Sequence, residues 1–277
     1  MKRNILKKYE GRISKDGAGV KLNRIFSNRD VEEVDPFLLL DFFDSDNPDD
    51  YTKGFPWHPH RGIETITYLI EGELEHGDSL GNSGTIEPYG CQWMTAGSGI
   101  VHQEMPQKSD RMLGAQLWLN LPKENKMTEP AYRDITIKDL KTHEDENSKV
   151  NIICGEYKGL KGPVRGTYVD PIYFDVEIKP EKTFEYSIDE NEKVFLLMIK
   201  GCIKFDNGDN ADFNNEKGIL LSQGDEIKIH TSDGARFLLF AGKPLNEPIA
   251  WGGPIVMNTQ EELNTAFKEL DEGTFIK

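Results

Sequence analysis

A chain of 277 residues with 37% hydrophobic and 10% aromatic content suits one large globular domain or two smaller ones, each with a real core. Its 33 basic and 48 acidic residues leave a net charge of -15, which repels phosphate backbones and argues against direct nucleic-acid binding. Cys91, Cys154 and Cys202 are far apart and form no CxxC pair, so neither a disulfide framework nor a thiolate zinc site is expected.

From the N-terminus, MKRNILKKYEGR is basic but leads into no apolar segment, unlike a secretory signal. The longest apolar run, VFLLMI (194–199), is far too short to cross a bilayer. The expected setting is cytoplasmic, with three reduced thiols and no membrane partner. DFFDSDNPDDY (41–51) is an acidic run, read as a solvated loop or as a surface for a basic protein partner. FPWHPHRGIE (55–64) then places His58 and His60 two residues apart around Pro59, at a strand start or edge where a missing ladder donor is tolerated.

Strand signals follow at regular intervals. TITYLI (65–70) ends at Glu71-Gly72, and GELEH begins a return. DSLGNSG (78–84) is a turn-rich loop, and WMTAGSGIVHQEM (93–105) and GAQLWLNL (114–121) read as further strands. A domain boundary is expected near 128–135, at MTEPAYRD, followed by a charged loop, THEDENSK (142–149). FLLMIKGCIKF (195–205) repeats the layout of TYLIEGELEH (67–76), and GDEIKI (224–229) parallels GCQWM (90–94), which points to two copies of one β unit. Evenly spaced strands with turn punctuation indicate antiparallel sandwiches or barrels. In NTQEELNTAFKEL (258–270), Leu263, Ala266, Phe267 and Leu270 recur at helical spacing, Thr259 and Glu262 form a capping box, and Gly273 lies just past the end.

The histidines carry the chemistry. Side chains at i and i+2 on a strand share a face, so His58 and His60 point together, as do His102 and Glu104 in VHQEM (101–105). One His-x-His alone is more often a surface or hydrogen-bonded pair. Two such pairs on neighbouring inward-facing strands converge as three imidazoles and a carboxylate. That donor set takes iron, copper, nickel, manganese or zinc, and leaves open positions at an octahedral ion. Glu64 lies four residues after His60 at the same strand parity and competes with Glu104 for the carboxylate position; spacing leaves both open. His76, His143 and His230 have no partner at ligand spacing and are expected as surface or core hydrogen-bonding residues. The second half has no His-x-His, so only the first β unit is expected to hold metal.

HPHRGIETITYLIEGELEHGDSLGNSG, QWMTAGSGIVHQEMP and GAQLWLNLP, with DPFLLLDFF (35–43) upstream and GPIVMNTQEEL (253–263) late in the chain, resemble the pirin family of the cupin superfamily nearly end to end. The resemblance implies an all-β bicupin, two β-barrel (double-stranded β-helix) domains with a C-terminal amphipathic helix. It places the metal-binding cupin at 1–130 and a metal-free cupin, ending in the helix, at 131–277. It also implies that His58, His60, His102 and Glu104 hold the metal, with iron(II) first and manganese, cobalt, nickel, copper or zinc as other divalent ions. Glu64 then becomes a residue that could orient a ligand histidine, and the helix packs back near the N-terminal domain. At Ser98 the chain departs from relatives that often carry Arg there. The implied function is a quercetin 2,3-dioxygenase-type oxidoreductase acting with dioxygen on a small flavonol-like or other enol-bearing aromatic, with Glu104 as catalytic base and Trp93, Met94 and Trp118 as candidates for an apolar pocket. The alternative is an iron-dependent regulatory module for a transcription or metabolic protein partner; a zinc isomerase-type cupin is a third reading.

Overall fold

The computed structural model describes residues 1–277 as two compact units. One unit comprises residues 12–31, 37–138 and 245–277; the other comprises 1–11, 32–36 and 139–244. The chain therefore crosses between them several times, instead of once near residue 130. The strand Ala131–Ile135 is the reason the division comes later: it pairs with Cys91–Thr95 and belongs to the same sheet.

In the first unit, a seven-stranded antiparallel sheet runs in the order Ala131–Ile135, Cys91–Thr95, Ile63–Glu71, Met112–Asn120, Phe37–Ser45, Val20–Phe26, Arg12–Asp16. A four-stranded sheet holds Phe55–His60, Ile100–Pro106, Leu74–Asp78 and Ser83–Ile86. Half of the acidic run is strand: Asp41 is buried and accepts two hydrogen bonds from Arg24, Nε at 2.8 Å and Nη2 at 2.7 Å. Asp44, Asp46, Asn47 and Asp49 of that run are exposed.

One register of this sheet is polar across its width. Arg24 faces Asp41, Asp41 faces Gln116, Gln116 faces Thr67, and Thr67 faces Gln92 on successive strands. Asp41, Gln116, Thr67 and Gln92 are all buried. Buried polar groups at this density need partners, so the row marks the inner face as a site and not a greasy core.

The second unit is built on a ten-stranded antiparallel sheet that includes the N-terminal strand Ile5–Tyr9, which pairs with Gly218–Leu221. The basic N-terminus is thus sheet edge. THEDENSK is a hairpin and not a loop: Lys141–Glu144 pairs with Ser148–Cys154, and Asp145 caps the turn by accepting from the Asn147 and Ser148 amides. Val150, Phe174, Phe184, Leu196, Met198 and Phe237 fill its interior with apolar side chains. No disulfide joins the three cysteines, and no helix is long and apolar enough to cross a membrane.

Residues 245–277 pack within the first unit. The short strands Ala250–Gly252 and Ile255–Met257 pair, and the helix Gln260–Asp271 lays Leu263 and Ala266 on Ile255 and Met257. Phe267, at the edge of the stripe, stays 40% exposed, which narrows the buried face expected from spacing. The capping box is complete: the Thr259 hydroxyl accepts from the Glu262 amide at 3.2 Å, and the Glu262 carboxylate accepts from the Thr259 amide at 2.9 Å. Thr259→Ala is expected to cost about 1 kcal/mol, read as a lower urea midpoint with an unchanged denaturant slope; an unmoved midpoint would show that the tail does not unfold with the rest of its unit.

Candidate metal centre

Three histidines meet because two short strands pair in one register. Phe55–His60 runs antiparallel to Ile100–Pro106, with His58 opposite His102 and His60 opposite Ile100. The ring centroids lie 4.8 Å (His58 to His60), 4.4 Å (His58 to His102) and 5.1 Å (His60 to His102) apart. One ligand atom from each lies within 4.8 Å of the others. Gly62 makes the turn that follows possible: its φ is +78°, and a Cβ there would strike the carbonyl of Val256.

Hydrogen bonds orient two of the rings. The Nδ1 of His58 lies 2.9 Å from the Pro56 carbonyl, and the Nδ1 of His60 lies 3.0 Å from the Pro254 carbonyl. A carbonyl only accepts, so both Nδ1 atoms carry the proton and both Nε2 lone pairs are free. Those outer contacts fix the tautomer a metal needs. His102 differs. It is fully buried, and neither ring nitrogen has a hydrogen-bond partner. Leaving such a group unsatisfied costs about 1–3 kcal/mol, a cost that coordination removes. Burial, and then the neighbouring His58, pulls the His60 pKa down to about 3. Burial, followed by His60, His58 and His76, holds His102 well below its ordinary value. His60 and His102 therefore stay neutral at physiological pH, the form that binds a metal. The donor set fits a borderline divalent ion.

Glu104 is buried on the same strand but is not one of this three-histidine group. Its Oε1 accepts from the Thr67 hydroxyl at 2.9 Å and its Oε2 from the Gln116 amide at 2.8 Å. Glu64 is elsewhere. It is three residues from Thr67 on a regular strand and so takes the opposite face; its Oε1 accepts from the Thr95 hydroxyl at 2.6 Å, and burial raises its pKa. It bonds to no ligand histidine: backbone carbonyls orient His58 and His60, and His102 has no partner.

His76 is a core hydrogen-bonding residue, as expected, but a close one. Its ring lies 5.6 Å from His102 and stacks on Tyr132 at 4.5 Å. Its Nε2 lies 3.0 Å from Asp78, and its Nδ1 meets Gln92, so neither nitrogen is free for a metal. His143 and His230 lie in the second unit beside Asp145 and Thr183.

A cleft of about 670 Å³ opens onto His58 and His60. Trp118 and Trp251 stack as one wall, with centroids 5.9 Å apart and planes at 28°. Arg12, Asp16, Arg24 and Asp41 supply donors and acceptors. Trp93 and Met94 are fully buried and do not line it, a core role that the sequence left open. Trp251 and Pro254 come from a segment distant in sequence, which no local pattern could have announced.

Residues 19–119 match the Pirin domain and 173–276 the Pirin C-terminal cupin domain. A pirin-like protein of Caulobacter vibrioides is 41% identical, over 99% of both chains. This chain belongs to the pirin family. Human Pirin is 36% identical over 92% of this chain and 88% of its own. The crystal structure of quercetin 2,3-dioxygenase from Acinetobacter baumannii aligns with a TM-score of 0.89 at 30% identity, over 99% of both chains. Both units are thus cupin domains of a pirin-family bicupin, and the histidine group is in the first. Ser98 is buried; its carbonyl accepts from the Arg61 Nε at 2.6 Å, and it does not line the cleft.

Proposed function

We propose that this pirin-family chain is a metal-dependent dioxygenase for a flavonol-like or other enol-bearing aromatic, with His58, His60, His102 and Glu104 holding iron(II) or a similar divalent ion. The observation that carries the reading is a buried His102 with two unpartnered nitrogens, beside histidines that open onto a tryptophan-walled cleft. Similarity to the Acinetobacter enzyme supports the substrate class.

When bound, the ion supplies a Lewis acid that stabilises an enolate and brings dioxygen close. The rest falls to the chain. Trp118 and Trp251 offer a flat apolar face for an aromatic substrate. Arg12, Arg24, Asp16 and Asp41 pair with ring hydroxyls. Glu104, held as an acceptor by Thr67 and Gln116, takes the proton of the substrate's acidic hydroxyl. Ring opening by dioxygen then releases carbon monoxide.

The test is oxygen consumption by iron-loaded protein with quercetin. Uptake that tracks quercetin loss is expected, with carbon monoxide as co-product. No uptake, with iron confirmed by elemental analysis, rejects the activity. The regulatory alternative rested on residues 41–51 as an acidic surface. Strand formation and the Asp41–Arg24 pair remove part of that surface, so the cleft carries the conclusion.

A further inference from the structure

We propose that Gln116 is a positioning residue that couples the cleft's aromatic wall to Glu104; this rests on Glu104 serving the ion, as proposed above. Gln116 is buried, lines the cleft and sits opposite Thr67 in the sheet. Its amide could in principle face either way. Trp118 and Glu104 fix the direction from opposite ends. An indole N–H only donates, and Trp118 Nε1 lies 3.3 Å from the Gln116 Oε1. The oxygen of Gln116 is therefore turned to the wall and its NH₂ to the interior.

From there every donor follows. The NH₂ reaches the Glu104 Oε2 at 2.8 Å and the Thr67 Oγ1 at 3.1 Å. Having accepted from Gln116, the Thr67 hydroxyl gives its single proton to the Glu104 Oε1 at 2.9 Å. Both carboxylate oxygens are thus held by donors linked to Gln116, whose far end the indole anchors. A group stacked against Trp118 acts on the same chain. Such outer contacts change metal affinity by about 10- to 100-fold when removed.

The measurement is nickel(II) affinity by calorimetric titration, in a double-mutant cycle of Trp118→Phe and Gln116→Leu. Trp118→Phe removes the indole N–H and keeps an aromatic wall, so a several-fold weaker affinity and an altered nickel absorption spectrum are expected. Gln116→Leu is expected to weaken binding by about tenfold or more. In the Gln116→Leu background, Trp118→Phe should then do nothing further. Equal losses from Trp118→Phe in both backgrounds, or no loss in either, overturn the coupling. Should Gln116→Leu fail to fold, Trp118→Phe with unchanged nickel affinity and spectrum is sufficient to overturn it. Glu104→Gln with unchanged affinity overturns it as well. Nickel affinity does not depend on turnover: the coupling can hold in a protein that never consumes oxygen, and can fail in one that does.

Discussion

His102→Leu loses its metal without losing its fold. Elemental analysis of the purified variant is expected to show less than about a tenth of the wild-type metal, since deleting a direct ligand should exceed the 10- to 100-fold effect of an outer contact. The metal-free variant should be as stable as the metal-free wild type or more so. Leucine is near histidine in volume, and it replaces a buried ring whose two nitrogens have no partner. Metal at a hundredfold excess over its Kd should then raise wild-type stability by about 2.7 kcal/mol and leave the variant unmoved. A variant that keeps its metal would show that His102 is a core residue.

The same burial sets the pH response of the metal-free protein. The folded-state pKa values of His60 and His102 lie below the ordinary histidine value of 6.5, with His60 at about 3. Between those limits the unfolded chain binds more protons than the folded one, so stability rises with pH. On acidification it should fall from about pH 6.5 downward, by up to about 1.4 kcal/mol per pH unit for each histidine. Bound metal, which keeps protons off the folded state but not off the unfolded chain, should preserve that slope and extend it to lower pH.

The second large effect is expected at Glu269. Arg61, next to His60, is 2% exposed. Its Nη1 pairs with the Glu269 carboxylate at 2.7 Å, its Nη2 donates to the Phe275 carbonyl at 2.9 Å, and its guanidinium lies 4.2 Å from the Phe275 ring. Glu269→Ala leaves a buried cation without its counter-ion, a loss of about 3–5 kcal/mol, at the lower end because Glu269 is partly exposed. Adding Arg61→Met should recover part of that loss, as removing both partners of a buried pair does. The tail that Arg61 grips also carries Pro254, whose carbonyl orients His60. Glu269→Ala should therefore weaken metal binding although it touches no ligand. Urea titration of the two single variants and the double variant measures the first effect, and metal titration the second. Additive losses would place the charge pair in solvent-like surroundings.

Lys126 secures the same segment. Its Nζ donates to the carbonyls of Gly62 (2.8 Å) and Val256 (2.9 Å) and to the Asn120 side chain (2.5 Å). Three acceptors require three N–H groups, which only the ammonium form provides, against a burial effect that pulls its pKa down to about 7. Nothing in KENKMTEP marks this lysine as buried, because two of its acceptors are backbone carbonyls remote in sequence and the third, Asn120, lies outside that stretch.

Local chemistry made much of the molecule legible in the sequence. Period-two alternation and Gly turns announced the strands, the Thr259 to Glu262 spacing announced the helix start, and two i, i+2 pairs announced the histidines, because strand parity alone puts such pairs on one face. Residues 253–263 carried the family resemblance, but which groups that segment would touch was not readable. Tertiary structure decided what depends on register between distant strands. It chose backbone carbonyls over Glu64 to orient the histidines, put Gln116 and Thr67 on Glu104, and brought Trp251 and Pro254 to a cleft nearly 200 residues away in sequence. A strand's own residues determine which face each side chain takes, but the partner across the sheet or from the tail is set by pairing energies summed over the whole unit.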